Sequence, residues 1–154
     1  MLDNDLLAAI GEVTVSAAEL EHMLAWVGHR VASGTATYLQ NDVIAILSGP
    51  PGAIITFKRA VRQCGDPELR RLANDAEKRF KERGRIAHSM AFKNAKPGGE
   101  QKEPYQLFYP KTWTYDDRTA DDLRDLAAGF RRVALDIRNT HKRVLAGAAN
   151  TREP

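Results

Sequence analysis

The chain is poor in cysteine and in long apolar runs, and each shortage excludes something. Of its 154 residues a single one is cysteine, Cys64. No internal disulfide can close, and the expected setting is a reducing one, the cytoplasm. No apolar stretch approaches the ~20 residues needed to cross a bilayer, so no membrane partner is expected. The opening Met1-Leu2-Asp3-Asn4-Asp5 lacks the basic region of a secretion signal. Cys-x-x-Cys, His-Glu-x-x-His and Gly-x-x-x-x-Gly-Lys are all absent, which removes the common zinc and phosphate-loop motifs. Gly49-Pro50-Pro51-Gly52 has neither the lysine nor the free backbone donors of such a loop. Glu19 and His22 form one Glu-x-x-His pair, but a di-iron bundle needs a second pair and two further glutamates. No metal and no cofactor is therefore expected, and His22 reads as a surface or packing residue.

What is present is the composition of a soluble globular chain, 43% hydrophobic and 28% charged, at a length that fits one domain. The net charge of +3 conceals a gradient. Residues 1–57 carry one basic and six acidic groups, net −5; residues 58–93 carry eleven and five, net +6; the remainder carries eleven and nine, net +2. The basic excess is concentrated in one stretch, and an anion would bind there.

Apolar periodicity predicts helices. Leu6, Ile10, Val13, Ala17, Leu20, Leu24, Val27 and Val31 recur in steps of three and four, which predicts a helix from about Asp3 to Val31, capped by Asp3 or Asn4. A short helix is expected near Leu39–Leu47, ended by Ser48-Gly49-Pro50-Pro51-Gly52, and another from Ala53 to about Cys64. Asp66 is a plausible N-cap with Pro67 at the first helical position, opening a helix to about Ser89. Residues 94–104, with Pro97-Gly98-Gly99, read as the tip of a hairpin or loop. Their flanks, Met90–Lys93 and Tyr105–Tyr115, have the aromatic and β-branched content of short strands. Leu123, Leu126, Phe130, Val133, Ile137 and Val144 mark a last helix over Ala120–Gly147. The fold class that follows is all-α: an antiparallel bundle of four to five helices with a small hairpin-like β excursion before the last one. The single domain is expected to span 1–148, with 149–154 a frayed tail.

Lys81-Glu82-Arg83-Gly84-Arg85-Ile86-Ala87-His88-Ser89-Met90 is the most informative stretch. The apolar line Leu72, Ala76, Phe80 arrives at Arg83, where a helix would ask for another apolar side chain. At about 100° per residue, Ala87 lies roughly 40° from Arg83 around the axis, Gly84 about 100° and His88 about 140°. Two groups able to bind anions or move protons would flank a floor of small residues that a phosphate or a partner helix could approach.

This segment resembles the signature of HEPN-superfamily domains, in which Arg-x4–6-His lies on a helix of a small all-α bundle. The order of elements is similar too: a long first helix carrying Ala18-Glu19-Leu20-Glu21, a middle helical pair, the motif, a short non-helical excursion and a long final helix. Gly84 stands where active members often carry a polar residue, commonly Asn. The resemblance implies a metal-independent endoribonuclease with Arg83 and His88 as catalytic residues at a composite homodimer site, RNA as substrate, and the role of a toxin restrained by an antitoxin protein. Arg79, Lys81, Arg85, Ser89 and Lys93 around the motif are the expected RNA contacts. The chemistry suits these residue types. RNA supplies its own nucleophile, the 2′-hydroxyl; a histidine side chain can exchange protons near neutrality; and a guanidinium can clamp phosphoryl oxygens through the transition state.

The competing expectation is a catalytically silent bundle that binds a nucleotide or a partner protein. On that view Arg83 pairs with Asp75, Glu82 or a carboxylate on another helix, and His88 closes the helix end. Cys64 reads as a small buried hydrophobe, and His141, four residues after Ile137, as a satisfied core or interface histidine. Trp113, Tyr109, Phe108 and Tyr105 could stack on bases, but beside a bundle they read as packing.

Overall fold

A computed structural model describes residues 4–33, 50–93 and 105–150. The elements in chain order are α1 (Asn4–Ser33), α2 (Pro50–Cys64), α3 (Pro67–Ala87), β1 (Met90–Lys93), β2 (Tyr105–Tyr109), β3 (Thr114–Arg118) and α4 (Ala120–Asn150). The protein is an all-α bundle with a small antiparallel sheet before the last helix. No described helix is long and apolar enough to cross a membrane.

The two long seams find their partner in each other. Leu6, Val13, Ala17, Leu20, Leu24 and Val27 of α1 are buried in one core with Leu123, Leu126, Phe130, Val133 and Ile137 of α4. Each large apolar side chain removed from water contributes about 1.5–3 kcal/mol. Asp5 meets Arg124 at one end, Glu12 lies 3.9 Å from Arg131, and Trp26 lies edge-on to His141 further along. These pairings show that α1 and α4 run side by side in the same sense. The pairs α2/α3 and α3/α4 are antiparallel: Ile54 shares a groove with Phe80, and Arg62 one with Arg70. Phe80 packs on Phe130, while Asp66 meets Arg143.

Helix boundaries follow local chemistry. Helix α2 begins at Pro50 rather than at Ala53, because a proline in the first turn forfeits no intrahelical hydrogen bond. It ends at Cys64, where Gly65 takes φ +75° and donates its N–H to the Val61 carbonyl at 3.0 Å. Terminal placement leaves Cys64 exposed instead of buried as expected. Asp66 caps α3 as anticipated, its Oδ1 accepting from the Leu69 N–H at 2.9 Å. Thr119 and Asp122 form a reciprocal box at the start of α4: the Thr119 N–H donates to Asp122 Oδ2 at 2.7 Å and the Asp122 N–H to Thr119 Oγ1 at 3.1 Å. Helix α4 runs on to Asn150, so residues 149 and 150 are helical rather than frayed. The helix expected near Leu39–Leu47, the loop 94–104 and the last residues, 151–154, fall outside the described residues.

The expected strand over Tyr105–Tyr115 is two strands with a turn between them. The sheet order is β1-β2-β3, with Met90 opposite Phe108 and Phe108 opposite Tyr115. Pro110 opens the turn, and the Thr112 N–H donates to the Tyr109 carbonyl at 3.2 Å. Alternation then sorts the sheet's faces: Leu107 and Tyr109 turn inward and are buried, while Phe108 and Tyr115 turn outward.

Candidate functional site at the end of the third helix

Helix α3 continues through Gly84, although glycine in a helix costs about 1 kcal/mol relative to alanine. Buried Ile86, two residues further on, holds the last turn against the core. His88 is the C-cap, its backbone N–H donating to the Gly84 and Arg85 carbonyls. The Ser89 hydroxyl donates to the Ile86 carbonyl at 2.7 Å. Arg83 and His88 therefore stand on the last turns of one helix as the spacing predicts.

They open onto different clefts. Arg83 borders a mainly apolar groove of about 410 Å³ between α2 and α3, with Ile54, Ile55, Glu77 and Phe80. His88 is exposed and borders a second cleft of about 310 Å³, walled by Arg85, Tyr109, Pro110, Lys111 and Thr112. Lys81 and Gly84 border both, and the space beyond Gly84 is open. Within one copy the two motif residues border different clefts, which meet along a ridge at Lys81 and Gly84.

The carboxylates proposed for Arg83 on its own helix are engaged elsewhere. Asp75 binds Arg71 at 2.8 Å and Glu82 binds Arg118 at 3.0 Å. Arg83 instead acts on Glu21 of α1: burial raises the Glu21 carboxyl above its ordinary pKa, and Arg83 opposes that rise. Arg79, an expected RNA contact, is turned toward α4, where a Cβ added at Gly129 would overlap its guanidinium. That arginine serves helix packing. The Arg85 guanidinium lies 4.7 Å from the Tyr109 ring centroid at the mouth of the His88 cleft. Lys81 borders that cleft, keeping one long contact of 3.7 Å to Glu77. The Ser89 hydroxyl is spent on the helix end. Lys93 closes β1 opposite Tyr105, and its side chain is outside the described residues.

The hairpin brings in what sequence reasoning missed. Arg118 joins Glu82 of α3 to Asp116 of β3, at 3.0 and 2.9 Å. Tyr109, read as simple packing, forms a cleft wall with its hydroxyl 3.4 Å from Asp116. Burial and then the Asp116 carboxylate push the Tyr109 phenol above its ordinary pKa, which keeps it a neutral donor. Lys111 and Thr112 enter through the turn after Pro110. That proline, inside an aromatic strand pattern, was the readable signal. The cleft surface is mainly apolar, and among the described residues its lining includes Lys81, Arg85, His88 and Lys111 and no carboxylate. Such a lining attracts anions.

Elsewhere, Glu19 and His22 are both exposed on α1, and among the described residues no three His, Cys, Asp or Glu side chains gather as a metal-binding group would. His141 is buried at 1% exposure, but neither ring nitrogen has a hydrogen-bond partner among the described residues. It is a core histidine without the satisfaction expected of it. Comparison with protein-family models, curated proteins and solved structures found no match for this chain.

Proposed function

We propose that the protein is a metal-independent endoribonuclease of HEPN type that cuts RNA with Arg83 and His88. The observation that carries this reading is the cleft at the C-cap of α3: an exposed imidazole, three flanking cations and, among the described residues, no carboxylate. In the proposed reaction the 2′-hydroxyl of RNA attacks the adjacent phosphorus and the 5′-oxygen of the next nucleotide leaves. His88 moves a proton to or from the reacting oxygens, and Arg83 holds the phosphoryl oxygens as charge builds.

One copy supplies one imidazole and turns Arg83 to a different cleft, so the reading needs a second copy. A two-fold pairing across Gly84 and Ala87 would bring one Arg83 toward the opposite His88. The apolar groove beside Arg83, with Ile55 58% exposed, supports burial of this face in a homodimer. In this reading the enzyme acts in the cytoplasm, and a partner antitoxin would restrain it by covering the same face. The separation of Arg83 from His88 favours a second reading, a silent bundle that binds a nucleotide or a partner protein. Product analysis decides between them. Cleavage should leave a 2′,3′-cyclic phosphate and a 5′-hydroxyl and should persist in EDTA. Binding without cleavage selects the silent bundle, and cleavage abolished by EDTA rejects the mechanism.

A further inference from the structure

The tip of the hairpin carries an aromatic group that the bundle does not use. Trp113 is 81% exposed and Tyr115 60% exposed. Phe108 lies between them, its ring centroid 5.6 Å from Trp113 and 5.0 Å from Tyr115. Phe108 and Tyr115 face each other across β2 and β3, so the cluster belongs to the outward face of the sheet. Packing in the core accounts for Tyr109 and Leu107 but not for these three rings. The backbone adds a second observation. Trp113 adopts φ +53°, the only positive φ of a non-glycine residue among those described, a conformation that disfavours bulky side chains. The turn holds it there through the Thr112 N–H on the Tyr109 carbonyl and the 2.7 Å contact of the Thr112 and Thr114 hydroxyls.

Charge identifies the occupant. The residues just before Trp113, Lys111 and Thr112, wall the cleft that also holds Lys81, Arg85 and His88 and, among the described residues, no carboxylate; the cleft lies on the Tyr109 side of the sheet and the rings on its outer face, and the turn that carries Lys111 and Trp113 joins the two. A cationic groove beside a platform of exposed rings is how proteins hold single-stranded nucleic acid: cations follow the phosphates and flat rings stack on the bases. We propose that Trp113, with Phe108 and Tyr115, is a stacking platform for an unpaired base of an RNA strand whose phosphates lie in the His88 cleft. The assignment rests on the reading of the protein as RNA-binding but not on its being catalytic. It adds a preference: RNA presented as a single strand is held, and the same sequence sealed in a duplex is not.

Trp113 reports on itself. The chain has two tryptophans, and Trp26→Phe leaves Trp113 as the sole indole. In that background, carrying His88→Ala to keep the ligand whole, a single-stranded oligoadenylate should quench the fluorescence saturably. Inorganic polyphosphate should bind the cleft with little quenching. In titration calorimetry, which needs no indole, Trp113→Ala should weaken oligoadenylate binding on the order of five- to a hundredfold and leave polyphosphate binding unchanged, with Trp113→Phe retaining most of the affinity. The proposal is overturned if Trp113→Ala binds oligoadenylate normally, or if polyphosphate quenches equally. A blue shift induced only by anionic lipid vesicles, or only by raising the protein concentration, would also overturn it in favour of a membrane or a second copy. Quenching without cleavage leaves the platform standing and removes the nuclease. Full cleavage efficiency in Trp113→Ala removes the platform and leaves the nuclease.

Discussion

The interface of α1 with α4 and the end of α3 beneath the hairpin are both rich in charge, and they use it in opposite ways. On the first, Arg124 is bound by Asp5 and Asp121 and approached by Glu12, and Arg131 is approached by Glu12. Cation and carboxylate are matched over a continuous apolar core. At the second, Glu82 and Asp116 are consumed by Arg118. The cleft beyond them is left with Lys81, Arg85, His88 and Lys111. Charge matched within the fold orders it; cations that outnumber their carboxylates, as here, where Lys81 keeps one long contact to Glu77, are available to a ligand. A net charge of +3 for the whole chain describes neither region.

If the comparison is right, the two regions separate under mutation. The largest stability effect belongs to the core shared by α3 and α4. Phe130 is fully buried against Phe80, and Phe130→Ala should cost about 3–5 kcal/mol in urea denaturation. A loss below about 1 kcal/mol would mean that the seams are not the core.

His141 sharpens the contrast from the buried side. Its pKa lies below the ordinary histidine value, first because burial penalises the imidazolium and then because Arg30 repels it. As pH falls below the ordinary histidine range the unfolded chain takes up the proton first. Stability is therefore full above that range and declines through it, until the buried ring is protonated as well. His141→Leu should flatten this decline, so that the variant gains more stability relative to the parent at pH 5 than at pH 8 in thermal denaturation. An equal effect at both values would show that His141 does not titrate differently on folding.

The smallest effects make the cleanest division. Arg124→Ala, at a solvent-screened surface ion-pair cluster, should change stability little and leave RNA binding unchanged. Lys111→Ala should do the reverse, with unaltered stability but weaker RNA affinity and a salt dependence shallower by about one unit. An exchange of these outcomes would dissolve the distinction.

How much of this was legible depended on the range of the interaction. The seams of α1 and α4, the Asp66–Pro67 helix start and the Arg83–His88 spacing are local patterns, and the sequence displays them directly. Two boundaries differ from the expected ones for reasons that are also local. Pro50 and Pro51 break a preceding helix but suit a first helical turn, and Pro110 inside an aromatic run opens a turn. The site needed what no local pattern holds. Arg79 and Arg85 are equally basic in the sequence, but one is turned to Gly129 of α4 and the other to Tyr109 of β2. Lys111 lies 23 positions beyond His88 in the chain, and the hairpin alone places it in the same cleft. Trp113 was readable as an aromatic residue but not as an exposed one, because its exposure follows from a turn with positive φ.

The central claim is that Arg83 and His88 act together on RNA although each faces its own cleft. The measurement that tests it most directly is the single-turnover rate of RNA cleavage by the parent, Arg83→Ala and His88→Ala, with helical content and oligomeric mass recorded for each. Both substitutions should lower the rate about 10²–10⁴-fold while fold and mass stay as they were. A His88→Ala protein that cleaves at the parental rate, or a parent that binds RNA and never cuts it, would contradict the account.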